Sequence, residues 1–257
     1  MPDDAREFAR ALYGVSLLKQ AKVRALTTML GETAGLRCLD IGGDNGVVSL
    51  LLRERGGTWA SADLDARTVA SIRELVGDPV LRCDGRHLPF EDAAFDRVVI
   101  VDLLEHVETD REFVAEVRRV LSPQGRLVVN VPHLKPRSLL NRFRHAVGLT
   151  DARHGHVRPG YSVASLRDVL APHFSVVRHA TYGRFFSEGI DTAMTLAYGK
   201  GSSSGKGTVV TRSDAEARRG SFRLLRTVYP VLRAVAALDG LLFLQPGYKL
   251  VVEAVPA

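Results

Sequence analysis

The feature that most constrains the fold is a regular alternation of short apolar runs and amphipathic segments through the first two thirds of the 257-residue chain. The apolar runs are rich in β-branched residues and predict five strands. These strands are expected at 36–41, 58–62, 80–83, 97–101 and 126–131. Helical patterns begin near Gly46, Ala66 and Asp110. Strands that alternate with helices predict an α/β fold with a doubly wound, mostly parallel sheet.

The last third of the chain adds two strands and an insertion. The pattern predicts a helix over 162–170 and strands over 174–181 and 248–255, which brings the sheet to seven strands. We therefore expect the chain to comprise an N-terminal helical cap (1–35), a core (36–181), a helical insertion (182–247) and a final strand (248–257).

Two parts of the insertion have distinct compositions. The Gly- and Ser-rich stretch 199–207 predicts a mobile loop. The stretch 213–244 predicts a basic amphipathic segment whose first helix Pro230 ends or kinks. Such a segment either covers the core as a lid or makes peripheral contact with a membrane, and both interpretations stay open here.

The net charge of +6 arises from one part of the chain. Between Leu134 and Phe185, nine Lys and Arg residues stand against two Asp residues. A local excess of this kind predicts an anionic binding partner that is attracted by the field of the protein.

The compartment follows from what the sequence lacks. Cys38 and Cys83 both lie in apolar runs, which excludes a disulfide framework and a C-x-x-C metal or redox site. The N-terminus has no apolar signal region, and no apolar run reaches the roughly 20 residues of a membrane span. We therefore expect a cytoplasmic protein.

The stretch CLDIGGDNGVVSLLLRERG indicates a cofactor site. Asp40 ends a predicted strand, and Gly42, Gly43 and Gly46 then form a turn that leads into a helix. A backbone without side chains can approach a ligand closely, and the helix start offers free N–H groups. The turn predicts a nucleotide-like cofactor. NAD is disfavoured because Asp44 occupies the middle glycine position of the dinucleotide fingerprint.

Two further carboxylates end the next strands. Asp63, followed by Leu64, lies 23 residues after Asp40, at the spacing where an acidic group meets the hydroxyls of a ribose. Asp84, followed by Gly85, ends the third strand and can accept a hydrogen bond from an adenine amino group. Three carboxylates at successive strand ends predict one site.

The block DGRHLPFEDAAFDRVVIVDLLEHVETDREFVAEVRRVLSPQGRLVVNVPH carries a family resemblance. Its Leu-Pro-Phe turn, Leu-Glu-His turn and Arg-Val-Leu-x-Pro-x-Gly link resemble those of class I S-adenosylmethionine-dependent methyltransferases, in the group that includes the ubiquinone-biosynthesis methyltransferases. The similarity covers 36–133 and continues more faintly through HVRPGYSVASLRDVLAPHFSVV to the last strand, which the family has antiparallel.

The resemblance implies S-adenosylmethionine as cofactor. It implies that Asp40 and the 42–46 turn hold the methionine part, Asp63 the ribose, and Asp84 with Gly85 the adenine. Asp102 is expected beside the methionine and the transferred methyl group.

Asp44 departs from the family, which usually has glycine at this position. Three interpretations remain open. The carboxylate caps the following helix, or it accepts a hydrogen bond from the ammonium group of the cofactor, or the site has lost its cofactor and the chain is a non-catalytic binding protein.

Methyl transfer needs a base that removes a proton from the acceptor. Histidines 106, 133, 154 and 156 are expected near the mouth of the site, and His106 and His156 are the strongest candidates, with Glu105 as a neighbour. The spacing Asp102-x-x-Glu105-His106 also resembles the Glu-x-x-Glu-His motif that binds a divalent metal in some ubiquinone O-methyltransferases and small-RNA 2′-O-methyltransferases, with His156 or His154 as a further ligand.

These observations predict O-methylation of a small or lipid-linked anionic acceptor, such as a prenylated aromatic, a saccharide or a phosphate-bearing lipid. Arg142, Arg144 and Arg158 are expected to line its entrance. An RNA methyltransferase is the alternative suggested by the pI of about 9.6. Nucleic acid is disfavoured because aromatic residues make up 7% of the chain and no separate RNA-binding module is evident.

Overall fold

A seven-stranded sheet forms the centre of the computed structural model, which describes residues 5–43, 45–135, 138–149, 156–198 and 219–257. The strands are β1 (Arg37–Ile41), β2 (Thr58–Asp63), β3 (Val80–Arg82), β4 (Phe95–Val101), β5 (Leu121–Pro132), β6 (Phe174–Tyr182) and β7 (Lys249–Pro256). Their order is β3-β2-β1-β4-β5-β7-β6. Strands β1 to β5 are parallel, and β7 runs antiparallel to both β5 and β6.

Helices cover both faces of this sheet. They are α1 (Ala5–Gly14), α2 (Leu17–Leu30), α3 (Val47–Arg53), α4 (Ala66–Val76), α5 (Asp110–Val120), α6 (Leu139–Ala146), α7 (Val163–Leu170), α8 (Phe185–Tyr198) and α9 (Arg219–Ala237). Two 3₁₀ helices span Leu104–His106 and Leu238–Leu242. None of the helices in the described ranges is long and apolar enough to cross a membrane.

The core lies on the two sides of β4 and β5. On one side, α5 buries Phe113, Val114, Val117 and Val120, whose 3-4 spacing places them on one helix face. On the other side, α2 and α3 pack against the alternate residues of β1, β4 and β5. Because β4 is buried on both faces, its last residues are uniformly apolar, as in a parallel sheet.

The predicted fold class is confirmed, and the structure changes two details. Strand β5 begins at Leu121, which pairs with Phe95, and the register shifts before Arg126 pairs with Arg97, so the apolar run from 126 is the second part of a longer strand. Helix α9 continues through Pro230 to Ala237, so the proline does not end the helix, and the other predicted effect, a kink, stays a prediction. Pro230 is exposed, and solvent can hydrogen-bond the carbonyl group that loses its donor.

Residues 199–218 lie outside the described part of the chain, and with them the predicted 199–207 loop.

Candidate functional site

The glycine turn after β1 is folded tightly onto the end of β4. Gly42 has a φ of +85°, and a Cβ atom there would lie 2.4 Å from the carbonyl oxygen of Val101. Gly46 has a φ of +86°, and its Cβ would lie 2.9 Å from the Cα of Ile72. Only glycine combines these angles with this closeness, so Gly42 and Gly46 allow the backbone of the turn to pack directly against β4 and α4. Asp44 lies outside the described residues, and its predicted roles stay predictions.

Asp40 has a different position from the expected one. Its carboxylate is fully buried and accepts hydrogen bonds from Ser49 Oγ at 2.5 Å, Ser61 Oγ at 2.7 Å and Arg53 Nη1 at 3.0 Å. A Cβ at Gly43 would lie 2.1 Å from Ser49 Oγ, so the turn rests directly on this network. The expectation that Asp40 itself holds the cofactor needs correction. Its buried carboxylate instead binds Ser49, whose hydroxyl group packs against Gly43 of the turn.

The ends of β2 and β3 lie at the same edge of the sheet. Asp63 is almost fully buried, and its Oδ1 accepts from the backbone N–H of Asp65 at 2.9 Å. Gly85 is next to Leu64, since a Cβ on Gly85 would lie 3.2 Å from Leu64 Cδ2. Asp84 is exposed, and the backbone N–H groups of residues 86 and 87 donate to its Oδ1 and lower its pKa. The carboxylate of Asp84 thus stabilises its own turn.

Asp102, at the end of β4, is the centre of a polar network. Its backbone has a φ of +44°. Lys22 Nζ lies 2.5 Å from Oδ2, Asn130 Nδ2 donates to Oδ1 at 2.9 Å, and Lys249 Nζ lies 3.9 Å from Oδ1. Removal from water raises the pKa of Asp102, but the charges of Lys22 and Lys249 outweigh this effect and lower it to about 2. The carboxylate is therefore ionised at neutral pH.

Sequence reasoning missed most of this network. Tyr182 extends it by donating to Asn130 Oδ1 at 2.6 Å, and α2 also supplies Lys19, which donates to Asn45 in the glycine turn at 3.0 Å. Asn130 is the one member of this network that the sequence could have indicated. A single amide inside the apolar run VVNV is expected to be buried, and a buried amide needs a hydrogen-bond partner. The N-terminal helices therefore contribute side chains to the site.

Glu105, His106 and His156 form a compact cluster that is buried or half-buried. One ligand atom from each lies within 4.8 Å of the others. Glu105 Oε2 has no hydrogen-bond partner among the described residues. Burial, supported by the charge of Asp102, raises the pKa of Glu105 to about 8. Asp102 is not part of this cluster, so the predicted Asp-x-x-Glu-His ligand set is reduced to its last two members plus His156.

The loop before α7 brings His156 to this place. The backbone N–H of Val157 donates to the carbonyl of Glu105 at 2.9 Å. Arg158 then donates to Asp110 Oδ2 at 2.7 Å and to Tyr161 Oη at 2.6 Å, and it also reaches the carbonyl of Leu104. The expectation that Arg158 lines the acceptor entrance is wrong, because its guanidinium group fastens the loop to the start of α5.

The other predicted entrance residues are separated. Arg144 donates to Glu188 Oε2 at 2.8 Å and to Thr192 Oγ1 at 2.7 Å, so it joins α6 to α8. Arg142 is exposed on α6. His133 has its Nδ1 2.8 Å from the carbonyl oxygen of Gly247, which gives it a structural contact. Residue 154 lies outside the described part of the chain.

A cavity of about 590 Å³ lies between β5, α6, α8 and the start of β7. Lys135 Nζ lies 3.9 Å over the ring of Tyr248 and donates to the carbonyl of Pro246 at 2.6 Å. Lys249, the residue after Tyr248, has its ammonium group 3.9 Å from Asp102 Oδ1. Asp102, Glu105, His106 and His156 are not among the residues that line the cavity. Its lining also includes Ser138, Leu139, Phe185, Phe186, Leu242 and Gln245.

Comparison with known proteins identifies the central part of the chain. Residues 39–129 match the family described as methyltransferase domain. Demethylmenaquinone methyltransferase of Tropheryma whipplei (strain Twist) is 32% identical over 129 residues, which cover 49% of this chain and 54% of that protein. The ubiquinone/menaquinone biosynthesis C-methyltransferase UbiE of Bordetella avium is 33% identical over 104 residues, which cover 37% and 40%. The chain thus spans about half or less of the length of these curated relatives.

Solved structures show the fold. An S-adenosylmethionine-dependent methyltransferase from Thermotoga maritima superposes with a TM-score of 0.58 at 17% identity, over 97% of this chain and 94% of that one. The shared architecture includes the mostly parallel seven-stranded sheet, and the low identity leaves substrate and chemistry to be argued from the site.

Proposed function

We propose that the chain is a class I S-adenosylmethionine-dependent methyltransferase, since residues 39–129 match the methyltransferase-domain family, and that it transfers a methyl group to an oxygen atom of a lipid-linked, anionic acceptor. The observation that carries this proposal is the cluster of Glu105, His106 and His156, next to the end of β4. A base placed there can take the proton of an acceptor hydroxyl.

The glycine turn fits the cofactor. Its backbone lies against the end of β4 so closely that a Cβ at Gly42 would overlap the carbonyl oxygen of Val101, and its glycines place no side chains of their own in the way of a ligand. Asp63 would hold the ribose hydroxyls, and Leu64 with Gly85 would lie along the adenine. S-adenosylmethionine would supply a methyl group on a sulfonium, from which the neutral thioether S-adenosylhomocysteine leaves readily, so the protein mainly positions and deprotonates the acceptor.

The cluster also fits a divalent cation. Two imidazoles and a carboxylate are a usual ligand set for Zn²⁺ and related ions, and Glu105 Oε2 lacks a hydrogen-bond partner among the described residues. When bound, such an ion would lower the pKa of an acceptor hydroxyl. Without such an ion, His106 and His156 are the residues that receive the proton. With it, their ring nitrogens would serve as ligands, and the acidified hydroxyl would lose its proton to solvent.

The cavity beside Tyr248 supports a lipid-linked acceptor. Its volume suits a ligand of moderate size, its walls are mainly apolar, and Lys135 supplies a positive charge at its side. A prenylated aromatic with an ionisable group meets these requirements. The named relatives act in quinone biosynthesis, and one is named as a C-methyltransferase, so the atom that is methylated must be determined directly.

The first test is calorimetric titration with S-adenosylhomocysteine. We expect micromolar binding, and we expect Asp63→Asn to weaken it about 10- to 100-fold, the effect of losing a charge-assisted hydrogen bond to the ribose. The matched control is Asp65→Asn, which makes the same change two residues away, at the start of α4. Asparagine caps a helix as well as aspartate, so the control should bind normally.

The second test supplies S-adenosylmethionine with a deuterated methyl group and a prenylated hydroquinone in detergent. NMR of the product distinguishes a methoxy group from a ring methyl group. A ring methyl would contradict methylation of oxygen, and failure to bind S-adenosylhomocysteine would favour a non-catalytic binding protein.

A further inference from the structure

Apolar side chains are unusually exposed around the mouth of the cavity. Leu241, Phe243 and Leu244 are 76%, 70% and 85% exposed, and Leu139, at the start of α6, is 73% exposed. Leu139 and Leu242 line the same cavity, so Leu139 and the 241–244 segment, which carries the other three side chains, lie beside it. We call Leu139, Leu241, Phe243 and Leu244 the apolar rim. Clustered exposure of large apolar side chains marks an interaction surface.

Positive charge accompanies the apolar rim. The stretch 134–149, which leads into and forms α6, contains four Lys and Arg residues and no Asp or Glu. Arg142 and His145 are exposed on α6, where Phe143, one turn after Leu139, is also half-exposed. An apolar surface flanked by basic side chains complements a lipid surface that carries negative charge.

Pairing with another helix is the alternative to a lipid surface as the explanation for exposed apolar residues, and helix α9 has the pattern for it. Its residues Leu224, Val228, Val231 and Val235 recur at spacings of four and three, the pattern of a helix that pairs with another helix. However, the greatest exposure is in the turn after this helix and on α6, outside any continuous helical stripe. The segment 199–218 contains only two large apolar side chains, Val209 and Val210, which are too few to cover the apolar rim.

We propose that the apolar rim inserts into the interface of a bilayer that contains anionic lipids, with Arg142 among the residues that contact the headgroups. Insertion would place the cavity mouth at the acyl chains, where a lipid-linked acceptor resides. This last point rests on the proposed function, whereas binding to lipid requires neither cofactor nor acceptor. The predicted membrane contact of 213–244 is thereby narrowed to the turn at 241–244 and extended to α6.

The experiment is flotation of the full chain with vesicles of phosphatidylcholine alone and of phosphatidylcholine mixed equally with phosphatidylglycerol. The wild type is expected to bind the mixed vesicles more strongly. The triple variant Leu241→Ser/Phe243→Ser/Leu244→Ser should bind vesicles about tenfold or more weakly. It lacks the three large apolar side chains whose transfer from water into the bilayer would stabilise the bound state. Arg142→Glu should weaken binding to the mixed vesicles only.

The matched control is Val177→Ser, which removes a 51% exposed apolar side chain on β6, away from the apolar rim, and should bind like the wild type. Equal binding of the triple variant and the wild type, or no binding of the wild type to either vesicle, would overturn the proposal. So would a dimer in light scattering that the triple variant converts to a monomer, because the surface would then bind a second copy. Titration with S-adenosylhomocysteine, expected to be unchanged in the triple variant, reports separately on the proposed function.

Discussion

The imidazole rings of His106 and His156, fifty positions apart in the sequence, meet edge to face with their centroids 4.8 Å apart. The backbone hydrogen bond from Val157 to the carbonyl of Glu105 holds the loop against the 3₁₀ helix after β4, and Arg158 adds a hydrogen bond to the carbonyl of Leu104. The two histidines therefore lie together with Glu105 at the edge of the sheet where the glycine turn lies.

If this cluster binds a cation, removal of one ligand should weaken binding strongly. We expect His156→Asn to lower Zn²⁺ affinity by at least about tenfold, because even changes to residues that only orient metal ligands cost about 10- to 100-fold. Competition with a chromophoric chelator measures the affinity. His179→Asn, on an exposed position of β6, is the control. Equal affinities of the wild type and His156→Asn would exclude this site as the place of binding.

The ion pair between Lys22 and Asp102 should make stability depend on pH at the acidic end. The pKa of Asp102 is lowered to about 2 in the folded protein, so its contribution is complete above the unfolded value of about 3.9 and is lost as the pH falls through about 2. Asp102→Asn should reduce the free energy of unfolding by about 2 kcal/mol at pH 7. Urea unfolding at several pH values measures the difference, which should shrink between about pH 4 and pH 2. A difference that is constant over this range would show that the charge of Asp102 is not stabilised.

Replacement of Arg158 by methionine should destabilise the protein more than replacement of Arg142 by methionine. Arg158→Met leaves Asp110 without its ion-pair partner, and we expect a loss of about 2–4 kcal/mol, seen as a fall of several degrees in Tm. Arg142→Met changes an exposed side chain and should alter stability by less than about 0.5 kcal/mol. Differential scanning fluorimetry compares the two. Equal Tm values would mean that the Arg158 network does not hold the loop.

Both cysteines should be unreactive in the folded protein. Cys38 and Cys83 are buried, and burial raises their pKa values to about 12 and about 11, so almost no thiolate is present at pH 8. Titration with a disulfide reagent should therefore label neither thiol until guanidinium chloride unfolds the chain. Rapid labelling of the native protein would indicate that the strands that carry them, or the turns after them, open readily.

The sheet could be predicted because each strand is a local pattern. The run at 97–101 is apolar at nearly every position, and the burial of β4 on both faces is the reason. The roles of Gly42 and Gly46 could also be predicted, since glycine is the residue type that tolerates positive φ and close backbone packing. Asp40 was recognised as important but given the wrong role, because a sequence shows that a carboxylate ends a strand and not which way it points.

By itself, the sequence determined the α/β class, the approximate positions of the seven strands and the glycine turn, and it named Glu105, His106 and His156 among the candidate site residues, because periodicity, turn chemistry and residue type are local properties. Only the tertiary structure decided the pairing of Lys22 with Asp102, the use of Arg158 and Arg144 as internal fasteners, and the exposure of Leu241, Phe243 and Leu244 around a cavity. These depend on which distant elements pack together. The type of a residue does not reveal whether its long charged or apolar side chain contacts a buried carboxylate, solvent or a lipid.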